Sequence, residues 1–133
     1  MNSARSDCPP RRVLVVEDEY FLAVDLAEAL EQEGFNVIGP AADLGAATNL
    51  ALKEPTIHAA LVDVNLRGEL VWPVVNILQH RCVPMILTTG YNNSEIPASC
   101  AHLPTHQKPV AIRNLMHDLR ELLTEAQKVH DVI

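Results

Sequence analysis

Short apolar runs stopped by polar residues alternate along the chain with stretches whose apolar positions recur every three or four residues. Val13-Leu14-Val15-Val16, halted by Glu17-Asp18-Glu19, has the pattern of a strand buried on both faces. From Tyr20 to Glu33, Leu22, Leu26, Ala29 and Leu30 fall at helical spacing, with Asp25, Glu28 and Gln32 opposite and Gly34 as a C-terminal stop. Phe35 to Gly39 reads as a weaker strand closed by Pro40, and Asp43 stands where an N-cap belongs before Leu44, Ala47 and Ala51, with Pro55 ending that helix. Ala59-Ala60-Leu61-Val62 is a third strand ending in Asp63, and Gly68 marks a loop. Val71, Val74, Val75 and Leu78 then resume helical spacing, with Pro73 in the first turn. Met85-Ile86-Leu87 gives a fourth strand ending at Thr88-Thr89-Gly90. Tyr91 to Pro104 carries two prolines and poor periodicity, so the fourth helix is expected to be short, irregular or mobile. A brief strand near Thr105 to Gln107 leads into Lys108-Pro109, and Ile112, Leu115, Met116, Leu119, Leu122, Leu123 and Ala126 trace the stripe of a last amphipathic helix.

Five strands alternating with helices over short connections predict an α/β fold, one doubly wound parallel sheet with helices on both faces, because right-handed crossovers leave few other arrangements. Residues 1–11 read as a flexible N-terminal tail and 12–129 as one domain with no output domain; 133 residues leave no room for a second module. Aromatic residues make up only 4% against 48% hydrophobic overall, which requires an aliphatic core.

A net charge of -7 repels a phosphate backbone and argues against direct nucleic-acid binding. Cys8, Cys82 and Cys100 are odd in number and share no metal-type spacing, which suits a reducing cytoplasmic setting. No apolar run approaches the ~18 residues of a membrane span, so no membrane partner is expected.

In open α/β sheets ligands bind outside the carboxyl ends of the strands. Glu17 and Asp18 end the first strand, Asp63 the third, Thr89 the fourth, and Lys108 follows the fifth, so all should meet on one rim. Three carboxylates brought together resist ionising unless a cation joins them. Oxygen-only ligands, without Cys or His, point to a hard cation, and a site shared with water and phosphate suits Mg²⁺. With the metal held, an Asp63 oxygen can attack a phosphoryl group in line to give an aspartyl phosphate. Lys108 can offer a point charge to one phosphoryl oxygen and the Thr89 hydroxyl a hydrogen bond to another.

Val-Val-Glu-Asp-Glu, Leu-Val-Asp-Val-Asn-Leu, Leu-Thr-Thr-Gly-Tyr and Lys-Pro, in this order and spacing, resemble the receiver domain of bacterial two-component response regulators over about Arg12 to Lys128. The resemblance implies the flavodoxin-like strand order 2-1-3-4-5. It assigns Mg²⁺ to Glu17, Asp18, Asp63 and the backbone carbonyl of Asn65, makes Asp63 the phosphoacceptor and Thr89 the switch hydroxyl, and gives Lys108 the role of fixed cationic partner. It further implies a protein that catalyses only its own phosphorylation and dephosphorylation and is otherwise no enzyme, with a sensor histidine kinase or phosphotransfer protein upstream and a protein target downstream.

Asn65-Leu66-Arg67-Gly68-Glu69, Val83 to Tyr91 and Gln107-Lys108-Pro109 are similar to the FATGUY receivers, which are commonly single-domain regulators paired with sensor kinases, several of the HWE class. Leu87-Thr88 stands where that subfamily has Phe-Ala, Glu17 where many receivers have Asp, and Thr105 at the usual aromatic switch position. The last departure shifts the expected output movement to Tyr91–Pro104.

Taken singly, each feature has a plainer reading. Glu17-Asp18-Glu19 could be a solvated turn at a helix N-terminus, Asp63 a loop cap and Lys108-Pro109 a loop; Asn65 and Tyr91 read as turn and surface residues, though by family likeness both positions influence phosphate loss. Cys100, His102 and His106 match no common metal site, and Val71 and Trp72 belong to a helix face. Two other functions stay open. One is a phosphorylation-independent adaptor of the same fold. The other is a phosphatase of the haloacid-dehalogenase type, disfavoured by Asn65 where that chemistry needs a second Asp and by the missing cap domain.

Overall fold

The computed structural model describes residues 9–90 and 96–132, with side chains as far as residue 128. Strands β1 (Arg12–Val16), β2 (Asn36–Ala41), β3 (Ala59–Asp63), β6 (Met85–Thr89) and β7 (Thr105–Gln107) form one five-stranded sheet in the order β2-β1-β3-β6-β7. Every pairing in it is parallel. With β6 and β7 counted as the fourth and fifth main strands, this is the expected order 2-1-3-4-5. The additional pair, β4 (Asn65–Leu66) and β5 (Glu69–Leu70), forms a small antiparallel hairpin. The helices are α1 (Tyr20–Gln32), α2 (Leu44–Lys53), α3 (Trp72–His80) and α4 (Ile112–Val132).

Alternation along the central strands divides the core into two layers. Leu14, Val16, Ala60, Val62, Met85 and Leu87 face α2 and α3, where Ala47, Ala51, Val74, Val75 and Leu78 close over them. Val13, Val15, Ala59, Leu61 and Ile86 face α1 and α4, meeting Leu26, Leu30, Leu115, Met116, Leu119 and Leu123. Burying each of the larger aliphatic side chains contributes about 1.5–3 kcal/mol relative to leaving it in water. Strands buried on both faces need apolar residues at consecutive positions, and this is why β1 and β3 read as unbroken runs.

Local signals explain the helix ends. Asp43 Oδ1 accepts from Ala46 N at 2.8 Å as the N-cap of α2, Pro73 lies in the first turn of α3, and Gly34 follows α1 with φ +93°. The last helix buries Leu115, Met116, Leu119 and Leu123 and half-buries Ile112, Leu122 and Ala126, the predicted stripe. Of the expected tail, residues 1–8 lie outside the described residues.

Three departures from expectation have physical causes. β2 runs on through Pro40 to Ala41 rather than stopping at Gly39. It is the edge strand, where a missing N–H leaves no ladder bond unmade, and the register with β1 shifts between Leu14 and Val16. The hairpin at 65–70 turns on Arg67 and Gly68, both with positive φ (54° and 92°), the pairing a type I′ turn demands. Between β6 and β7 the described helical element is a 3₁₀ turn, Ala98–Cys100; residues 91–95, the first five of the expected irregular segment, lie outside the described residues.

Candidate functional site

β1 and β3 lie side by side with Val16 opposite Val62, so the residues that follow, Glu17 and Asp63, leave the sheet together at its carboxyl edge. Carboxylate oxygens of Glu17, Asp18 and Asp63 all lie within 4.8 Å of one another. Glu17 is 2% exposed and Asp63 4%, while Asp18 is partly exposed. β7 pairs with β6 through Gln107 opposite Thr89, and Lys108 N donates to the Thr89 carbonyl at 2.7 Å. From there Lys108 Nζ reaches Asp63 Oδ2 at 2.8 Å, Glu17 Oε2 at 3.0 Å and Glu19 Oε2 at 3.2 Å.

Backbone donors hold the acids in place. Glu19 N donates to Glu17 Oε2 at 3.0 Å and Asn65 N to Asp63 Oδ1 at 3.1 Å. Arg67 N donates to Asp18 Oδ2 at 3.0 Å, so the hairpin tip secures the first loop. Asn65 Oδ1 accepts from Gly68 N at 2.7 Å, which employs its side chain in the turn. Thr89 is buried at the end of β6.

Burial, reinforced by the charge of Asp63, pushes Glu17 from its ordinary 4.5 up to about 7, against the pull of the Glu19 N–H and Lys108. Burial also raises Asp63, although the hydrogen bond from Lys108 opposes it. Burial disfavours the ammonium of Lys108 as well, but the bonds and charges of Asp63 and Glu17 outweigh this and hold it above the usual lysine range. One lysine therefore does not neutralise the cluster.

Glu17 Oε1 is buried with no hydrogen-bond partner among the described residues. An orphaned carboxylate oxygen beside two more carboxylates, in an all-oxygen donor set, fits a hard divalent cation such as Mg²⁺. Glu17, Asp18 and Asp63 are the residues that would hold it. Among the described residues this is the one group of acidic, His or Cys side chains close enough together to do so. Cys100 lies in the core, and His106 Nε2 is 2.7 Å from Asp118 Oδ2 instead.

The sequence places Glu17, Asp18, Asp63, Thr89 and Lys108 on one rim, and the structure gathers them there, with Asn65, which only the resemblance adds, giving its N–H to Asp63 Oδ1. Glu19 went unread as a partner of Lys108. Its signal was the third acid of the Glu17-Asp18-Glu19 run, which by itself reads as a solvated helix start.

No protein-family model matches the chain. It is similar to SdrG from Sphingomonas melonis Fr1, with 30% identity, a TM-score of 0.74, and coverage of 87% of this chain and 98% of that one. It is also similar to a CheY-like response regulator receiver domain protein from Methanospirillum hungatei JF-1, with 27% identity, a TM-score of 0.80, and coverage of 90% and 98%. Among curated proteins, the transcriptional regulatory protein PdtaR of Mycobacterium tuberculosis is 34% identical over 89 residues, 65% of this chain. The chain spans 42% of the length of that relative. Strand order, the acid cluster beside Lys108 and these likenesses agree: the chain belongs to the response-regulator receiver domains.

Proposed function

We propose that this receiver is a Mg²⁺-dependent phosphorylation switch whose phosphoacceptor is Asp63. The observation that carries the reading is the placement of Asp63: buried, with one oxygen on Lys108 and the carboxylates of Glu17 and Asp18 beside it. An Asp63 oxygen attacks the phosphorus of a phosphohistidine; the P–N bond breaks and the imidazole nitrogen leaves with the electron pair. Glu17, Asp18, Asp63 and the Asn65 carbonyl would hold Mg²⁺, which when bound would supply charge neutralisation for the transferring oxygens. Lys108 pairs with one phosphoryl oxygen and the Thr89 hydroxyl donates to another. Attack of water on the phosphorus later releases inorganic phosphate and restores the carboxylate.

In this reading the protein is a signalling substrate that catalyses only its own modification, and it passes the signal on through protein–protein contact. In this reading it works in the cytoplasm. Free Cys82 and Cys100 suit a reducing compartment, and no described helix is long and apolar enough to cross a membrane. The donor is a sensor histidine kinase or a phosphotransfer protein; the FATGUY-like segments Asn65–Glu69, Val83–Tyr91 and Gln107–Pro109 make HWE-class kinases the first candidates to try. Phosphotransfer profiling from a panel of autophosphorylated sensor kinases tests it. Rapid, Mg²⁺-dependent loss of label from one kinase to this chain is the expected result; no transfer from any kinase together with normal binding to a protein target would favour the adaptor reading.

A further inference from the structure

The ammonium of Lys108 has three N–H donors and meets three carboxylates. The side chains of Glu17 and Asp63 are 1% and 5% exposed; that of Glu19 is 61% exposed. Glu19 occupies the N-cap position of α1, where acceptor side chains commonly serve the first helical N–H groups. Its side chain makes no such bond and reaches Lys108 across 89 positions of sequence instead. Its backbone is tied on both sides, with its N–H on Glu17 Oε2 at 3.0 Å and its carbonyl accepting from Ala23 N at 2.9 Å. Glu19 also lines, with Leu22, Asp25, Gly90 and Pro109, an open groove of about 490 Å³ at the lip of the site.

We infer that Glu19 is a positioning residue that occupies the third donor of Lys108 until a phosphoryl oxygen displaces it. The inference rests on the phosphoacceptor reading. A lysine whose three donors are taken must release one acceptor before it can serve a phosphoryl oxygen. Stripping a buried carboxylate of its partner is costly, whereas an exposed one passes to water with little loss. Glu19 is therefore the acceptor that leaves. It holds Lys108 in reach of Asp63 in the resting protein and competes with the incoming phosphoryl group.

Titration with beryllofluoride, a phosphoryl mimic, at saturating Mg²⁺ and high salt tests this in wild type, Glu19→Gln, Glu19→Ala and Asp25→Asn. Asp25 lines the same groove, so its variant removes an equal charge from the groove wall. Both Glu19 variants should bind the mimic about 2- to 5-fold more tightly, the range set by loss of an exposed ion pair, and Asp25→Asn should match wild type. A merely structural role would change the unfolding midpoint and leave the affinity ratio at one. Equal affinity in wild type and the Glu19 variants, or the same gain in Asp25→Asn, would overturn the inference while leaving the phosphoacceptor reading intact. Absence of mimic binding in wild type would remove both.

Discussion

Lys108 Nζ stands 2.8 Å from Asp63 Oδ2, joining residues 45 positions apart at the carboxyl ends of β7 and β3, with β6 between them in the sheet. The pair is nearly enclosed, with side-chain exposures of 17% and 5%. Desolvation here outweighs attraction for the carboxylate, since Asp63 is held above its usual range despite the lysine. Asp63→Asn should therefore raise stability by about 1 kcal/mol, because it removes one of three crowded charges. Lys108→Met should lower it by about 3–5 kcal/mol, because it strands buried carboxylates. Urea unfolding of the two variants against wild type without divalent cation checks both signs.

Glu17 makes a second stability statement. Its folded pKa of about 7 lies above the ordinary 4.5, so the folded protein binds this proton more tightly than the unfolded chain does. The stabilisation is fully present below about pH 4.5 and is lost as the pH rises through about 7. Without divalent cation, wild type should lose roughly 1–3 kcal/mol relative to Glu17→Gln between about pH 5 and pH 8. Adding Mg²⁺ should shrink that difference, since a cation beside the orphaned Glu17 Oε1 favours the ionised form. Denaturant titrations of both proteins at the two pH values, with and without Mg²⁺, give the comparison.

At the opposite edge of the sheet, His58 Nδ1 accepts from Arg12 N at 2.8 Å while His58 N donates to the Arg12 carbonyl at 2.8 Å. The ring thus extends the pairing of β1 and β3 by one acceptor, which requires Nδ1 without a proton. Burial, then the charges of Arg11 and Arg12, lower its pKa from 6.5. The contribution is present above about pH 6.5 and is lost as the pH falls through the folded value. Thermal unfolding between about pH 7 and pH 5 should show a steeper decline for wild type than for His58→Asn, which keeps an acceptor without a titrating proton.

Gly39 supports the acid cluster from a distance. Its φ is +94°, and a Cβ there would lie 2.8 Å from Ala41 N and 3.0 Å from the Val15 carbonyl, both backbone atoms. Ala41 pairs with Val16, and its carbonyl accepts from Glu17 N at 3.0 Å, so a shift of β2 is passed directly to Glu17. Gly39→Ala should cost about 2–4 kcal/mol of stability and weaken Mg²⁺ binding several-fold. Calorimetric titration with Mg²⁺ below the unfolding temperature separates the two effects.

The fold was legible because its strands are buried on both faces: Val13–Val16 and Ala59–Val62 could end only where polar residues begin, and those residues are the site. The site was legible because Glu17, Asp18, Asp63, Thr89 and Lys108 each mark a strand end. What escaped depends on contacts that local pattern does not encode. Pro40 reads as a stop until β2 is known to be an edge strand, and Arg67 carries no sign of its positive φ until it is seen opening a hairpin turn. The reach of Glu19 to Lys108 and the bond from Arg12 to His58 join segments far apart in sequence and require the assembled sheet.

The central claim, that Asp63 carries the phosphoryl group, is tested most directly by intact-mass measurement after incubation with acetyl phosphate, with and without Mg²⁺. The account predicts a single added phosphate in wild type that requires Mg²⁺, is labile to base, and is absent from Asp63→Asn. A phosphate that still appears in Asp63→Asn, or none in a folded, Mg²⁺-loaded wild type, would contradict it.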